Sequence, residues 1–141
     1  MKKIYTLSIF LSLILLFGCS KDFLKSYDNR IIGTWRITDV SRIGLFGDAD
    51  KLPFKSGTFD FNEDGSLTYV NTANVLYQGR WDIVKKVIDE KTVRSLQVSA
   101  INFTNHEILS AYYDDMNFLS TNHFRSETVS TFITYVTHFR R

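Results

Sequence analysis

The histidines are the residues of this chain best suited to binding a metal ion. His106 stands beside Glu107, and His123 follows in the same third of the sequence. Two imidazoles and one carboxylate are ligands that Zn²⁺ accepts, so these three side chains are a candidate metal cluster. Scattered surface histidines are the alternative. Because nothing else in the sequence supports such a site, we expect no metal ion and no other cofactor.

The chain lacks the short motifs that mark common catalytic sites. It contains no Gly-rich phosphate loop, no His-Glu-x-x-His pair and no Gly-x-Ser-x-Gly elbow. Serines and carboxylates are abundant, as at Ser110 and Asp114, but their spacing selects no nucleophile and base. The sequence therefore predicts a protein that is not an enzyme.

The only cysteine, Cys19, follows a segment typical of a secretory signal peptide. Two lysines precede an apolar run over residues 4–17, and a glycine stands directly before the cysteine. A transmembrane helix is the alternative, but a span needs roughly 20 apolar residues and this run is shorter. We therefore predict that residues 1–18 are a cleaved signal peptide and that residues 19–30 form a tether.

Leu16, Gly18 and Cys19 resemble the signal of bacterial lipoproteins, in which the cysteine is acylated and becomes the first residue of the mature chain. The resemblance implies lipidation of Cys19, with palmitate or a similar chain, and attachment to a membrane. Several acyl chains on one residue make such attachment stable. Ser20 is similar to the residue that directs these proteins to the outer membrane, on its periplasmic face or at the cell surface. An ordinary signal peptide that leaves a free cysteine is the alternative.

Charge and cysteine content exclude several functions. Without Lys2 and Lys3, 15 of the 17 basic residues remain against 15 acidic ones, so the mature chain has no net charge. A nucleic-acid-binding protein needs a clustered positive surface, so we expect no nucleic acid partner. Lipidation of Cys19 leaves no thiol for a disulfide, so stability must come from a core, and roughly 120 residues can form one.

The rest of the chain predicts strands. Aromatic residues make up 15% of the sequence and the only proline is Pro53, a composition that favours β-structure. Asn62–Gly65 and Tyr113–Met116 are the expected turns. Arg42–Lys55 is a longer connection, and its apolar residues predict a lid that packs on the fold. The predicted strands are residues 32–41, 57–61, 66–70, 76–84, 92–103, 107–113, 117–124 and 128–139.

Eight strands are the number that a small closed barrel needs, with an open β-sandwich as the alternative. Gly33-Thr34-Trp35 in the first strand and Phe139-Arg140-Arg141 in the last resemble the lipocalin and calycin group. More closely, they resemble the small lipocalin-like lipoproteins of Bacteroidota. The resemblance implies an all-β domain over residues 31–141, with a single antiparallel up-and-down barrel. It also implies that Gly33 and Trp35 form a structural closure of one end with Arg140 or Arg141.

In such a barrel the connections alternate between the two ends. The Arg42–Lys55 lid, His106 and His123 are expected at the mouth, with His138 and the lipid anchor at the opposite end. Apolar loop side chains and inward tyrosines suit a small hydrophobic ligand bound in the barrel. The candidate ligand-binding residues are Ile43, Leu45, Phe46, Tyr69, Tyr77, Tyr112 and Phe118. The alternative is a filled barrel that docks on a protein complex of the cell envelope.

Overall fold

The computed structural model describes residues 25–43, 52–130 and 133–141. The predicted signal peptide, Cys19, Leu45 and Phe46 lie outside these residues. Within them, no helix has the length and apolar character needed to cross a membrane. The elements are one short helix, α1 (Tyr27–Ile31), and the strands β1 (Gly33–Ile43), β2 (Gly57–Phe61), β3 (Ser66–Val70), β4 (Leu76–Ile88), β5 (Lys91–Ile101), β6 (Ile108–Ser120), β7 (His123–Ser130) and β8 (Ile133–Arg140).

The eight strands form one antiparallel sheet that closes into a ring. Each strand pairs with its neighbour in the chain, and β1 also pairs with β8, from Arg36↔Arg140 to Ile43↔Thr134. The all-β, eight-stranded antiparallel fold agrees with the sequence prediction. We call the end where α1 precedes β1 the closed end. The other end, where β1 finishes and Phe54 precedes β2, is the open end.

The largest difference from the predicted strands lies in β6. Tyr113–Met116, predicted as a turn, is inside this strand, and a register shift between Asp114 and Asn117 marks a β-bulge. The bulge adds a residue to β6, so Tyr113 and Met116 are both buried although they are three positions apart. The separate strands predicted over residues 107–113 and 117–124 are therefore wrong.

The longer β6 changes the positions of the histidines. β7 begins at His123, which places this residue at the closed end near His138, whereas His106 lies in the turn before β6 at the open end. The expected position of His123 at the mouth is therefore wrong, and the candidate cluster of His106, Glu107 and His123 is not brought together. Among the residues that the structure describes, no group of three or more His, Cys, Asp or Glu side chains could hold a metal ion.

Aromatic side chains fill the interior of the ring. Contacts between ring centroids at 4.3–6.0 Å connect them all, from Tyr77 and Phe54 near the open end to Trp35 at the closed end. Such pairs add about 0.5–1.5 kcal/mol each beyond the burial of apolar area. The buried aromatic residues of this network are Trp35, Phe54, Phe59, Phe61, Tyr69, Tyr77, Tyr113, Phe118, Phe124 and Phe139.

Candidate functional site

The closed end is built around Trp35, which is fully buried. Its indole Nε1–H donates a hydrogen bond of 2.6 Å to the carbonyl oxygen of Ile31, the last residue of α1. Ser26 is the N-cap of α1, and its side chain accepts a hydrogen bond from the backbone N–H of Asn29. The helix therefore places a carbonyl where the buried indole needs an acceptor.

Arg141 packs over the same indole. Its guanidinium carbon lies 4.5 Å from the centre of the Trp35 ring, and its Nη2 donates to the carbonyl oxygens of Arg30 at 2.8 Å and Ile32 at 2.7 Å. Gly33, with a φ of 112°, leaves space beside this guanidinium. Arg140 is exposed and pairs in register with Arg36 and His123 instead. Of the two candidate arginines, Arg141 is thus the one that contacts Trp35.

Phe118, predicted to bind a ligand, lies at the closed end. It contacts Trp35 at 6.0 Å and Tyr27 of α1 at 5.3 Å, and the guanidinium of Arg30 lies 4.0 Å over its ring. The guanidinium of Arg94 of β5 also packs over Tyr27, 4.4 Å from the ring centre. The side chain of Phe118 is therefore enclosed by α1 and is not part of a mouth.

Tyr69 and Tyr77, two other predicted ligand residues, are buried near the open end. The Tyr69 hydroxyl donates to the carbonyl oxygen of Ser56, and the Tyr77 hydroxyl donates to Glu107 Oε2 at 2.7 Å. Burial, followed by the nearby Tyr77, raises the pKa of Tyr69 to about 12. The hydrogen bond to Glu107 is the main cause of the raised pKa of Tyr77. Both hydroxyls therefore have partners within the chain.

Phe54 closes the interior at the open end. It is 1% exposed, and its ring contacts Tyr69 at 4.8 Å and Phe59 at 5.3 Å. This residue belongs to the predicted lid, Arg42–Lys55, of which residues 44–51 lie outside the described part of the chain. The end of that connection thus occupies the space in which a ligand was expected.

Tyr112 does not point into the ring as predicted. It is 53% exposed, whereas its neighbour Tyr113 is buried, because adjacent residues of a strand face opposite sides. On the outer face the Lys86 ammonium lies 4.6 Å from the centre of the Tyr112 ring and 3.0 Å from Asp114 Oδ1. The expected inward position of Tyr112 is therefore wrong.

An opening lies in the sheet between β6 and β7. The backbones of the two strands pair from Asp114↔Glu127 to the closed end. Nearer the open end, a hydrogen bond from Thr128 Oγ1 to the Tyr112 carbonyl oxygen joins the strands instead. A cavity of about 290 Å³ lies there, and we call it the β6–β7 cavity. Its lining includes Leu52, Pro53, Phe54, Tyr113, Val129 and the Lys86–Asp114 pair.

Large apolar side chains are exposed at the open end. Five of the eight exposed large apolar residues in the described part of the chain lie there. We call these five the open-end apolar set: Ile43, Leu76, Phe103, Ile108 and Val129. Leu76 and Phe103 also line a groove of about 570 Å³ between the turns at residues 71–75 and 102–107. In β1, β7 and β8, Ile43 and Val129 stand opposite the same residue, Thr134.

The sequence prediction included Ile43 but missed the other four members of this set. The sequence held a signal for this surface. Leu76 and Ile108 stand two positions before the solvent-facing residues Gln78 and Ser110, so they lie on the same outer face of their strands. A large apolar residue at an outward strand position is unusual enough to mark a contact surface.

No family model matches the chain, and neither a curated protein nor a solved structure was found to be similar to it.

Proposed function

We propose that the chain is a lipid-anchored, lipocalin-like lipoprotein of a bacterial cell envelope, without enzymatic activity. Its barrel is of the up-and-down type and is filled by side chains, and its open end docks on a protein partner. One observation carries this proposal: aromatic rings fill the interior, while the open-end apolar set is exposed. Eight-stranded barrels are just wide enough to be filled in this way.

The chemistry of the open end suits a protein surface. Phe103 and Ile108 are each 67% exposed, and the groove lined by Phe103 is bordered by neutral amides, including Asn74, Asn102 and Asn105. Interfaces commonly combine an apolar centre with a polar rim that forms hydrogen bonds. A chain with no net charge after residue 18 gives no electrostatic preference for an anionic surface.

The position of the proposed anchor favours a partner other than the membrane to which the chain is attached. Only six residues lead from Cys19 to Lys25, which at about 3.5 Å per residue reach about 20 Å. β4 has 13 residues and is about 43 Å long at about 3.3 Å per residue, so with the roughly 40° tilt of barrel strands it extends about 33 Å between the two ends. A lipid on Cys19 would therefore hold the closed end near the membrane and direct the open end away from it.

Site-specific photo-crosslinking in the native envelope tests the docking proposal. A photoreactive residue at Ser110, near the open end, should capture a defined protein. Phe103→Asp combined with Ile108→Asp should reduce that capture at least tenfold. Val87→Asp combined with Leu119→Asp, which changes two exposed apolar residues near the closed end, is the matched control and should leave capture unchanged. Equal capture by both double variants would contradict docking at the open end.

Labelling with radioactive palmitate tests the anchor separately. The wild-type chain should incorporate the label and fractionate with the outer membrane, whereas Cys19→Ser should do neither. Ser20→Ala is the control because it keeps the cysteine. Incorporation of label into Cys19→Ser would contradict lipidation at this position but would not bear on docking.

Binding of a small hydrophobic molecule is the second candidate function, and the β6–β7 cavity favours it. Its volume of about 290 Å³ lies just below the roughly 300 Å³ at which ligand pockets usually begin, and its lining is mostly apolar with the Lys86–Asp114 ion pair beside it. Native mass spectrometry of the purified chain should then detect a bound lipid or similar molecule. Val129→Trp would fill the cavity and remove that ligand, while Leu119→Trp should not. Binding that persists in Val129→Trp would contradict this site.

A further inference from the structure

Two histidines face each other near the closed end. His123 Nε2 and His138 Nδ1 are 3.0 Å apart, and the centres of the two rings are separated by 5.3 Å. His123 stands opposite Arg140 in the pairing of β7 with β8, and His138 stands opposite Arg125, so the two imidazoles meet diagonally across the strands. Both side chains are partly exposed, which leaves a path from solvent to the facing nitrogens.

We propose that His123 and His138 together bind one divalent late first-row transition-metal ion, such as Zn²⁺ or Cu²⁺. In tetrahedral coordination at about 2.0–2.1 Å, two imidazole nitrogens lie about 3.3 Å apart. The observed 3.0 Å requires the rings to separate by only a few tenths of an ångström. Water molecules complete the coordination, since the described residues supply two nitrogens and no third ligand.

The protonation of the pair is compatible with this role. Without a metal, one ring donates the N–H that lies between the two nitrogens and the other accepts it. When the ion enters, the donor ring carries its proton on the outer nitrogen instead, so both rings stay neutral. Burial is the main cause of the lowered pKa of His123, followed by Arg140 and His138.

The surrounding charges set the expected strength and preference of the site. Arg140, opposite His123, and Arg125, opposite His138 in β7, repel a cation, whereas Asp39, opposite His138 in β1, attracts one, so we expect weak binding. A site with imidazole ligands alone should prefer Cu²⁺ to Zn²⁺ and should not bind Mg²⁺, which requires oxygen ligands.

Calorimetric titration of the full chain with ZnCl₂, CuCl₂ and MgCl₂ tests the proposal. A Cys19→Ser background removes the only thiol. One Cu²⁺ or Zn²⁺ should bind per chain and Mg²⁺ should not. His123→Ala and His138→Ala should each weaken binding at least tenfold. His106→Ala, which changes the exposed histidine at the open end, should leave binding unchanged.

NMR of the histidine rings gives a measurement that does not depend on these variants folding. In the background protein, the resonances of His123 and His138 should change on addition of Zn²⁺ while those of His106 stay in place. Absence of binding, equal changes at all three histidines, or full binding in both folded single variants would overturn the proposal. In that case the pair is only a hydrogen bond between two strands.

Discussion

The two ends of the ring differ in how their aromatic and apolar side chains are covered. At the closed end, the indole of Trp35 has an acceptor on Ile31 and a guanidinium over its face. At the open end, Phe103 and Ile108 are two-thirds exposed, and backbone pairing between β6 and β7 starts only at Asp114. The first region is complete within the chain, whereas the second leaves apolar surface without a partner in the described residues. The exposed side chains of the open end are therefore expected to contribute little to stability and, if the proposed function is correct, to provide recognition.

Trp35→Ala should give the largest effect and breaks the closed end directly. The side chain is fully buried among Phe118, Phe124 and Arg141, so its removal leaves a cavity and an unpaired carbonyl. We expect the free energy of unfolding to fall by about 3–5 kcal/mol. Ile43→Ala at the open end should change it by less than about 0.5 kcal/mol. Urea denaturation of both variants measures the difference, and similar losses would contradict it.

Two glycines allow the tightness of backbone packing at the two ends to be compared. Gly33 at the closed end and Gly57 near the open end both have a positive φ, of 112° and 108°. A Cβ on Gly57 would lie 2.5 Å from the Val70 carbonyl oxygen, whereas one on Gly33 would have 3.9 Å to its nearest neighbour.

Alanine at either glycine should therefore cost about 1–2 kcal/mol in backbone strain, and Gly57→Ala should cost about 1 kcal/mol more from the clash. Thermal unfolding of the two variants tests this order. A larger loss in Gly33→Ala would contradict the steric argument, and would place the tighter backbone at the closed end.

Arg141→Met tests how much the guanidinium contributes to the closure. The substitution removes two hydrogen bonds and the contact with Trp35, but the side chain is exposed, so we expect a loss of about 1–2 kcal/mol. Arg140→Met, the adjacent exposed arginine, should change stability by less than about 0.5 kcal/mol. Guanidinium chloride unfolding is the measurement, and equal effects of the two variants would remove the special role of Arg141.

Alkaline titration should give the smallest effect and reports on the open end. Tyr69 has a pKa of about 12 in the folded chain against 10.0 when unfolded. Its contribution to stability is therefore present below pH 10 and lost as the pH rises through about 12. Absorbance at 295 nm should show an ionisation step near pH 12 that disappears in Tyr69→Phe. If Tyr69→Phe instead removes an ionisation step near pH 10, Tyr69 is open to solvent.

Alternation of apolar residues was sufficient to predict most of the fold. β2 and β3 have the bounds that were predicted, since each is a short strand between clear turn signals. β6 was divided because two adjacent aspartates are typical of a turn. Here they lie in a bulge, where Asp114 binds Lys86 on the outer face and Asp115 takes a φ of 44°. The three-residue spacing of Tyr113 and Met116 was the signal for a bulge.

The candidate site was harder to predict because strand bounds decide which residues meet. One misplaced turn moved His123 to the wrong end and concealed its contact with His138, 15 residues further along the chain. Tyr112 was assigned to the interior, although its alternation with Tyr113 leaves only one of the two inside. The filling of the ring depends on the packing of side chains from every strand, which periodicity alone does not describe.

The pairing of β1 with β8 has a consequence for how this protein acquires its structure. Residues such as Arg36 and Arg140 are partners although about a hundred positions separate them, and contacts of such high sequence separation slow folding. Until β8 is in place, β1 has one unpaired edge, and Trp35 lacks the arginine that covers it. During that interval the nascent domain exposes an aggregation-prone strand. A chaperone that protects the β1 edge would therefore act before β8 completes the ring.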